Sequence, residues 1–185
     1  MNAVSADVLI LLAGLLGQPG PEALAAIEEM AVPHPWLRAL APGLQATSLA
    51  EWQAEHTRLF VSGVPKTIAP PFASYWRHGF LGGDCVREIA GLYARAGVVA
   101  DPGVTPDYLG SLLELAAYLQ SRPDAVAVGL LEVLWGEHLA PWVPRFAAAL
   151  QVGSSMPLYR ALAGQLAGLF GEEHATDDQP ASAGA

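Results

Sequence analysis

The run "VLILLAGLLG" (Val8 to Gly17) constrains the fold more than any other stretch of this chain. Its residues are uncharged and offer no polar face, so a helix here has to be enclosed on nearly every side. Ten residues are too few to span a bilayer. The run also makes a poor export signal, because no Lys or Arg precedes Arg38 and Asp7 sits where positive charge is needed. The expectation is a central N-terminal helix over about residues 3–16, in a cytoplasmic protein with no stable membrane insertion.

The rest of the chain reads as more helix, punctuated by Gly and Pro. "GQPGP" breaks the first helix, and Pro21 suits the first turn of a second over about 21–31. "VPHPW" is the next break, with a short helix near 35–41. "SLAE" has the Ser-x-x-Glu form of a capping box, Ser48 with Glu51, and opens a helix reaching about Val61. "DCVREIAGLYARAG" predicts a helix from Asp84 to Ala96, ended by Gly97. "TPDYLGSLLELAAYLQSR" predicts another, with Thr105 as N-cap, Pro106 at the first helical position and Asp107 in the first turn. A helix over about 124–137 is expected to kink at the "APWVP" prolines and continue to Leu150, and residues 155–171 complete the set. No strand alternation and no internal repeat is evident. The fold class is therefore all-α, a single-domain helical bundle over 1–171. The polar, acidic tail 172–185 is expected to be disordered.

Nine Lys and Arg against 18 Asp and Glu give a net charge of -9, which disfavours nucleic acid as a partner. It favours a basic ligand or peptide, or it serves solubility alone. With 52% hydrophobic and only 15% charged residues, the chain has apolar surface to spare for a partner. The single Cys85 excludes an internal disulfide. Catalytic signatures are missing. There is no phosphate-cradling Gly-rich loop, no Gly-x-Ser-x-Gly elbow around Ser74 and no His-Glu-x-x-His pair. The three "EH" pairs, among them Glu55-His56 and Glu137-His138, place neighbouring side chains about 100° apart and do not form a metal face. Cys85 lies in the first turn of a helix, where a thiolate would be favoured, but a structural cysteine is the plainer reading. No catalytic residue, metal site or cofactor is expected.

One loop stands out: "EHTRLFVSGVPKTIAPPFASYW" (Glu55 to Trp76), where a Pro-Pro pair precedes three aromatics within five residues. "EHTRLFV", "APPFASYW", "TPDYLGSLLELAAYL" and "EHLAPWVPRFAAAL" follow one another in the order and spacing of the TorD/DmsD/NarJ family, which the chain resembles over roughly residues 50–150. The resemblance implies an all-α cytoplasmic chaperone and not an enzyme. Such a chaperone binds the twin-arginine signal peptide or N-terminal segment of an apo molybdopterin oxidoreductase subunit. It holds that subunit until the molybdopterin and iron–sulfur clusters are in place, before export or assembly. The family's Pro-Pro-aromatic-x-Ser-x-Tyr loop appears here as Pro70, Pro71, Phe72, Ser74 and then Tyr75-Trp76. Its Asp-His pair appears as Asp107-Tyr108. A monomer is expected. The resemblance also allows a domain-swapped dimer, with the loop after Val61 as hinge.

A receptor for such a peptide needs carboxylates for the arginines and apolar anchors for the helical run. Asp107 and Glu114, seven residues apart and thus on one helix face, are candidates for the first role, with Glu55 on another helix. Trp52, Phe60, Phe72, Tyr75, Trp76 and Trp142 are candidates for the second, with Tyr108, Pro70, Pro71, Ser74 and His138 beside them. Each has a plainer alternative. Asp107 could serve only to neutralise a helix N-terminus, Glu114 to face solvent or pair with a base, and Trp142 to pack in the core against His138. The prolines could serve only to set the path of the loop. Two other functions stay open: a weak GTP-binding or hydrolysing enzyme, and a stable assembly factor of a membrane redox complex.

Overall fold

The structure is a computed structural model that describes residues 4–122 and 124–171. The expected tail 172–185 lies outside the described residues. The fold is a single all-α domain. Helix α1 spans Ala6–Leu16, α2 Ala23–Met30, α3 Pro35–Arg38 and α4 Ala41–Gln45. Helix α5, Leu49–His56, runs straight into a π-helical turn at Thr57–Val61. Then come α6 at Ala73–His78, α7 at Asp84–Ala96 and α8 at Leu109–Gln120. Helix α9, Ala125–Val133, passes into a second π-helical turn at Leu134–Leu139, and α10 (Val143–Gly153) and α11 (Pro157–Phe170) close the order.

Apolar patterning explains the packing. Helix α1 buries Leu9, Leu11, Leu12, Ala13, Leu15 and Leu16 and lies along α8, which buries Leu109, Leu112, Leu113, Leu115 and Leu119. Burying a Leu side chain fully is worth about 1.5–3 kcal/mol, so this pair anchors the bundle. Ser5 caps α1 by accepting from the Val8 amide. Gln120 ties the far end of α8 back to the Val4 carbonyl. Helices α10 and α11 form a hairpin around the fully buried Phe146, Leu150, Leu158, Tyr159 and Leu162. The capping box that opens α5 is formed as expected. The Ser48 hydroxyl accepts from the Glu51 amide at 3.2 Å, and the Glu51 carboxylate accepts from the Ser48 amide at 2.9 Å.

Tertiary contacts overrule local signals in several places. Helix α8 starts at Leu109 with Tyr108 as its N-cap, so Thr105 does not cap it and Asp107 is not on it. The reason is an antiparallel bridge between Phe72 and Tyr108. The Ala73 amide donates to the Asp107 carbonyl at 3.0 Å, and the Leu109 amide donates to the Pro71 carbonyl at 2.8 Å. These bonds hold Tyr108 extended (φ -66, ψ 130), with Asp107 in a turn that the Tyr108 amide closes onto the Thr105 carbonyl at 3.1 Å. The expected helix near 35–41 is two short helices. The expected kinked helix over 124–150 is likewise two, because Trp142 leaves helical geometry (φ -135, ψ -26) between the second π turn and α10. Helix α6 falls within what reads as a Pro-rich loop: residues 73–78 coil once the prolines end.

Candidate functional site

The proline-stiffened loop, the first π turn and the segment after α6 together enclose a groove of about 580 Å³. In the π turn the Ser62 amide donates to the Thr57 carbonyl, five residues back, at 2.8 Å. Such turns insert an extra residue per turn and recur at functional sites. Here the turn sends Phe60 inward and leaves Val61 exposed on the groove side. The Ala69 amide then donates to the Leu59 carbonyl at 2.8 Å, and Trp76 Nε1 donates to the Pro70 carbonyl at 2.6 Å. Pro70 and Pro71 are buried there, which suits residues with no amide proton to satisfy. Helix α6 ends on Gly79 in the left-handed region (φ 83), and Gly82 and Gly83 also have positive φ. These glycines turn Phe80 and Leu81, 58% and 63% exposed, into the mouth of the groove.

The groove is lined by Leu16, Gln18, His56, Phe60, Val61, Lys66, Thr67, Pro70, Pro71, Phe72, Tyr75, Gly79, Phe80, Leu81 and Tyr108. Apolar and aromatic side chains dominate. Lys66 is the basic side chain among them, and among the described residues no carboxylate belongs to the wall. Burial, with the negative charge of Glu114 adding to it, pushes the Tyr108 phenol up to about 12, so it stays protonated. His56 Nε2 lies 3.1 Å from the Leu16 carbonyl, which can only accept, so Nε2 carries the proton. Burial holds the His56 pKa below the usual imidazole value, although the Leu16 bond opposes it.

The expected site residues thus divide. Phe60, Pro70, Pro71, Phe72, Tyr75 and Tyr108 line the groove together. Asp107 is 1% exposed, and its Oδ2 accepts from the Ser74 amide at 3.0 Å and the Ser74 hydroxyl at 2.5 Å. Its carboxylate anchors the start of α6, and Ser74 is likewise buried in that contact. Asp107 and Glu114 do not share a helix face, since only Glu114 belongs to α8; Glu114 is exposed.

Glu55 is engaged within the fold. It takes a two-pronged contact from Arg58 at 2.7 and 2.8 Å and accepts from the Ser155 amide at 2.9 Å and the Ser154 hydroxyl at 3.0 Å. Burial pushes its pKa up, but these bonds outweigh burial and bring it to about 2. Trp52 is buried and donates from Nε1 to the Tyr159 hydroxyl at 3.0 Å. Trp142 is fully buried and donates to the His138 carbonyl at 2.6 Å, so both pack in the core. Trp76 is half-buried with its edge against Phe146. Cys85 is buried, and burial raises its thiol pKa, which fits a structural cysteine.

Sequence reasoning missed His56, Val61, Lys66 and the Phe80–Leu81 pair. The pair did leave a signal, two large apolar residues set between glycines in "HGFLGG". Among the described residues no group of His, Cys, Asp and Glu is arranged to hold a metal ion, and no helix is long and apolar enough to cross a membrane.

The model of the family described as nitrate reductase delta subunit matches residues 17–148. The chain belongs to this family. It is the NarJ/TorD type that the four motifs resemble, and the matched stretch contains every groove residue except Leu16. Among curated proteins, the chain is 28% identical to Chaperone protein YcdY of Escherichia coli (strain K12) over 121 residues. That match takes in 64% of this chain and 61% of YcdY, so less than two thirds of the relative's length is spanned. A crystal structure from Archaeoglobus fulgidus, provisionally described as a redox enzyme maturation protein, shares the fold of this family member. It aligns with a TM-score of 0.62 at 21% identity over 90% of this chain and 96% of the other.

Proposed function

We infer that this protein is a cytoplasmic redox-enzyme maturation chaperone. It binds the N-terminal signal region of an apo molybdopterin oxidoreductase subunit and holds it until cofactor insertion, before export or assembly. The observation that carries the reading is the open apolar groove of about 580 Å³, which lies within the family-matched stretch. A groove of this size lined by aromatics takes the apolar helical run of a peptide, with side chains one turn apart as anchors. Exposed Val61, Phe80 and Leu81 extend the apolar surface around its mouth. The family membership and the relatives' names support the same class of partner.

Among the described residues the wall has no carboxylate and does include Lys66, so it disfavours a guanidinium. The arginines of a twin-arginine motif therefore lie outside the groove. Glu114 is the candidate for them: it is exposed, and its charge is felt at Tyr108 in the groove wall. Asp107 positions α6 and the loop, and touches the peptide only through that framework.

The test is co-purification from the native host, followed by titration of the captured subunit's N-terminal peptide against the pure protein. Recovery of a molybdopterin oxidoreductase subunit, with binding that competes with an apolar fluorophore in the groove, is the expected result. Failure to recover such a subunit, together with no peptide binding, overturns the reading.

A further inference from the structure

Lys66 is the only lysine in the chain, and it lies in the groove wall. It is exposed, and among the described residues no carboxylate pairs with it. Arg58, Arg77, Arg87 and Arg122, by contrast, each have an acidic partner. In a chain of net charge -9, a lone cation on an apolar wall attracts negative charge in whatever fills the groove. Lys66 also occupies a definite end of that wall. The Ala69 amide donates to the Leu59 carbonyl, and the Thr67 hydroxyl donates to the Val61 carbonyl at 3.2 Å. These bonds fold residues 66–69 against the end of the first π turn. From there the strip runs through Pro70 and Pro71 to Phe72, which pairs with Tyr108. Proline fixes its own φ and keeps the residue before it extended, so the strip holds its two ends apart. Beyond Tyr108, α8 carries the exposed Glu114, whose charge is felt at the Tyr108 phenol. Opposite charges thus flank the strip at its opposite ends.

A helical segment has the matching asymmetry. Its first-turn amides are free and its N-terminal end is positive, whereas its last carbonyls are unpaired and its C-terminal end is negative. Arginines preceding the apolar run add to the positive end. We propose that the groove binds its helical segment in one polarity only, with the N-terminal end toward Glu114 and the C-terminal end on Lys66. Lys66 therefore favours segments that carry an acidic side chain just after the apolar run. The reverse polarity would set the arginines against Lys66 and the carbonyl end against Glu114. The inference rests on the groove being the peptide site.

The experiment uses the full chain and two synthetic Leu/Ala-rich helical peptides with blocked termini. Both begin with two arginines, and each carries one glutamate, placed either just before or just after the apolar run. Each peptide is compared between wild type and Lys66→Gln, so differences in the peptides' own helicity cancel. At low salt, Lys66→Gln should weaken the peptide with the trailing glutamate about fivefold and leave the other almost unchanged. High salt should erase the difference. A second measurement needs no variant. A carbodiimide joins a carboxylate to an amine in direct contact, and in wild-type protein it should couple the trailing glutamate to Lys66, located by mass spectrometry, and leave the leading one uncoupled. If both peptides bind but Lys66→Gln affects them equally, or the leading glutamate couples to Lys66 as well or better, this inference is overturned and the peptide groove stands. If neither peptide displaces an apolar fluorophore from the groove, both fall.

Discussion

The two π-helical turns make an instructive pair. The first follows a Glu-His dipeptide, Glu55-His56, the second contains one, Glu137-His138, and each precedes a proline-containing segment. Both histidines are buried, both keep Nδ1 unpartnered, and burial lowers the pKa of both. Yet the first turn opens on the groove, whereas the second is sealed by Trp142, which is fully buried and bonded to the His138 carbonyl. What separates them is the following residues. After Val61 the chain makes a long excursion before Pro70 and Pro71, leaving space. After Leu139 it enters α10 within four residues and fills the space with indole. The same local device thus borders an open groove at one end and a packed core at the other.

The comparison can be broken most forcefully at Trp142. Trp142→Ala should empty a closed site and destabilise the protein by about 3–5 kcal/mol, read by chemical denaturation. No comparable loss should follow Phe72→Ser at the partly open groove.

Asp107→Ala is the next largest effect. It leaves the Ser74 amide and hydroxyl without their acceptor, at a cost of about 1–3 kcal/mol. Peptide affinity measured in the folded fraction should change little. A loss of affinity with unchanged stability would instead make Asp107 a direct contact.

Acid should act next. The Glu55 carboxylate has its folded pKa depressed from 4.5 to about 2, so its stabilisation is complete above 4.5 and lost as pH falls towards 2. With Arg58 partly exposed, this amounts to about 2 kcal/mol. His56 and His138 also have depressed folded values, so their unfolded forms take up protons first below 6.5 and stability starts to fall there. Melting temperatures from pH 8 to 3 should decline in those two stages, and Glu55→Gln should flatten the lower one.

At the groove mouth, Phe80→Ser with Leu81→Ser should weaken peptide binding about tenfold while leaving the melting temperature in place, since both side chains are exposed. The smallest effect is expected at Glu114→Gln. Affinity for an arginine-bearing peptide should drop by less than about 1 kcal/mol, and only at low salt. Equal loss for an arginine-free peptide would remove Glu114 as the partner of the arginines.

Much of this molecule was legible in its sequence, for reasons that are local. The uncharged run at α1 and the 3–4 spacing of apolar residues specify helices to be buried. Ser48 with Glu51, and Gly97 after Ala96, specify where helices start and stop. The Pro-Pro-aromatic loop marked the groove, because stiff backbone and large apolar side chains at one place are visible residue by residue. Its series of motifs also pointed to the family. Only the tertiary structure decided which polar groups were available. Asp107 reads as the first turn of a helix, but pairing of residues 71–73 with 107–109 pulls it out of that helix and hands its carboxylate to Ser74. Glu55 reads as a free carboxylate until the α10–α11 turn brings Ser154 and Ser155 to it from about 100 residues away. His56 reads as one of several chance Glu-His pairs until the Leu16 carbonyl takes one nitrogen and the groove receives the ring. A side chain's hydrogen-bonding partners depend on what the fold brings near it, and that information lies in contacts distant along the chain.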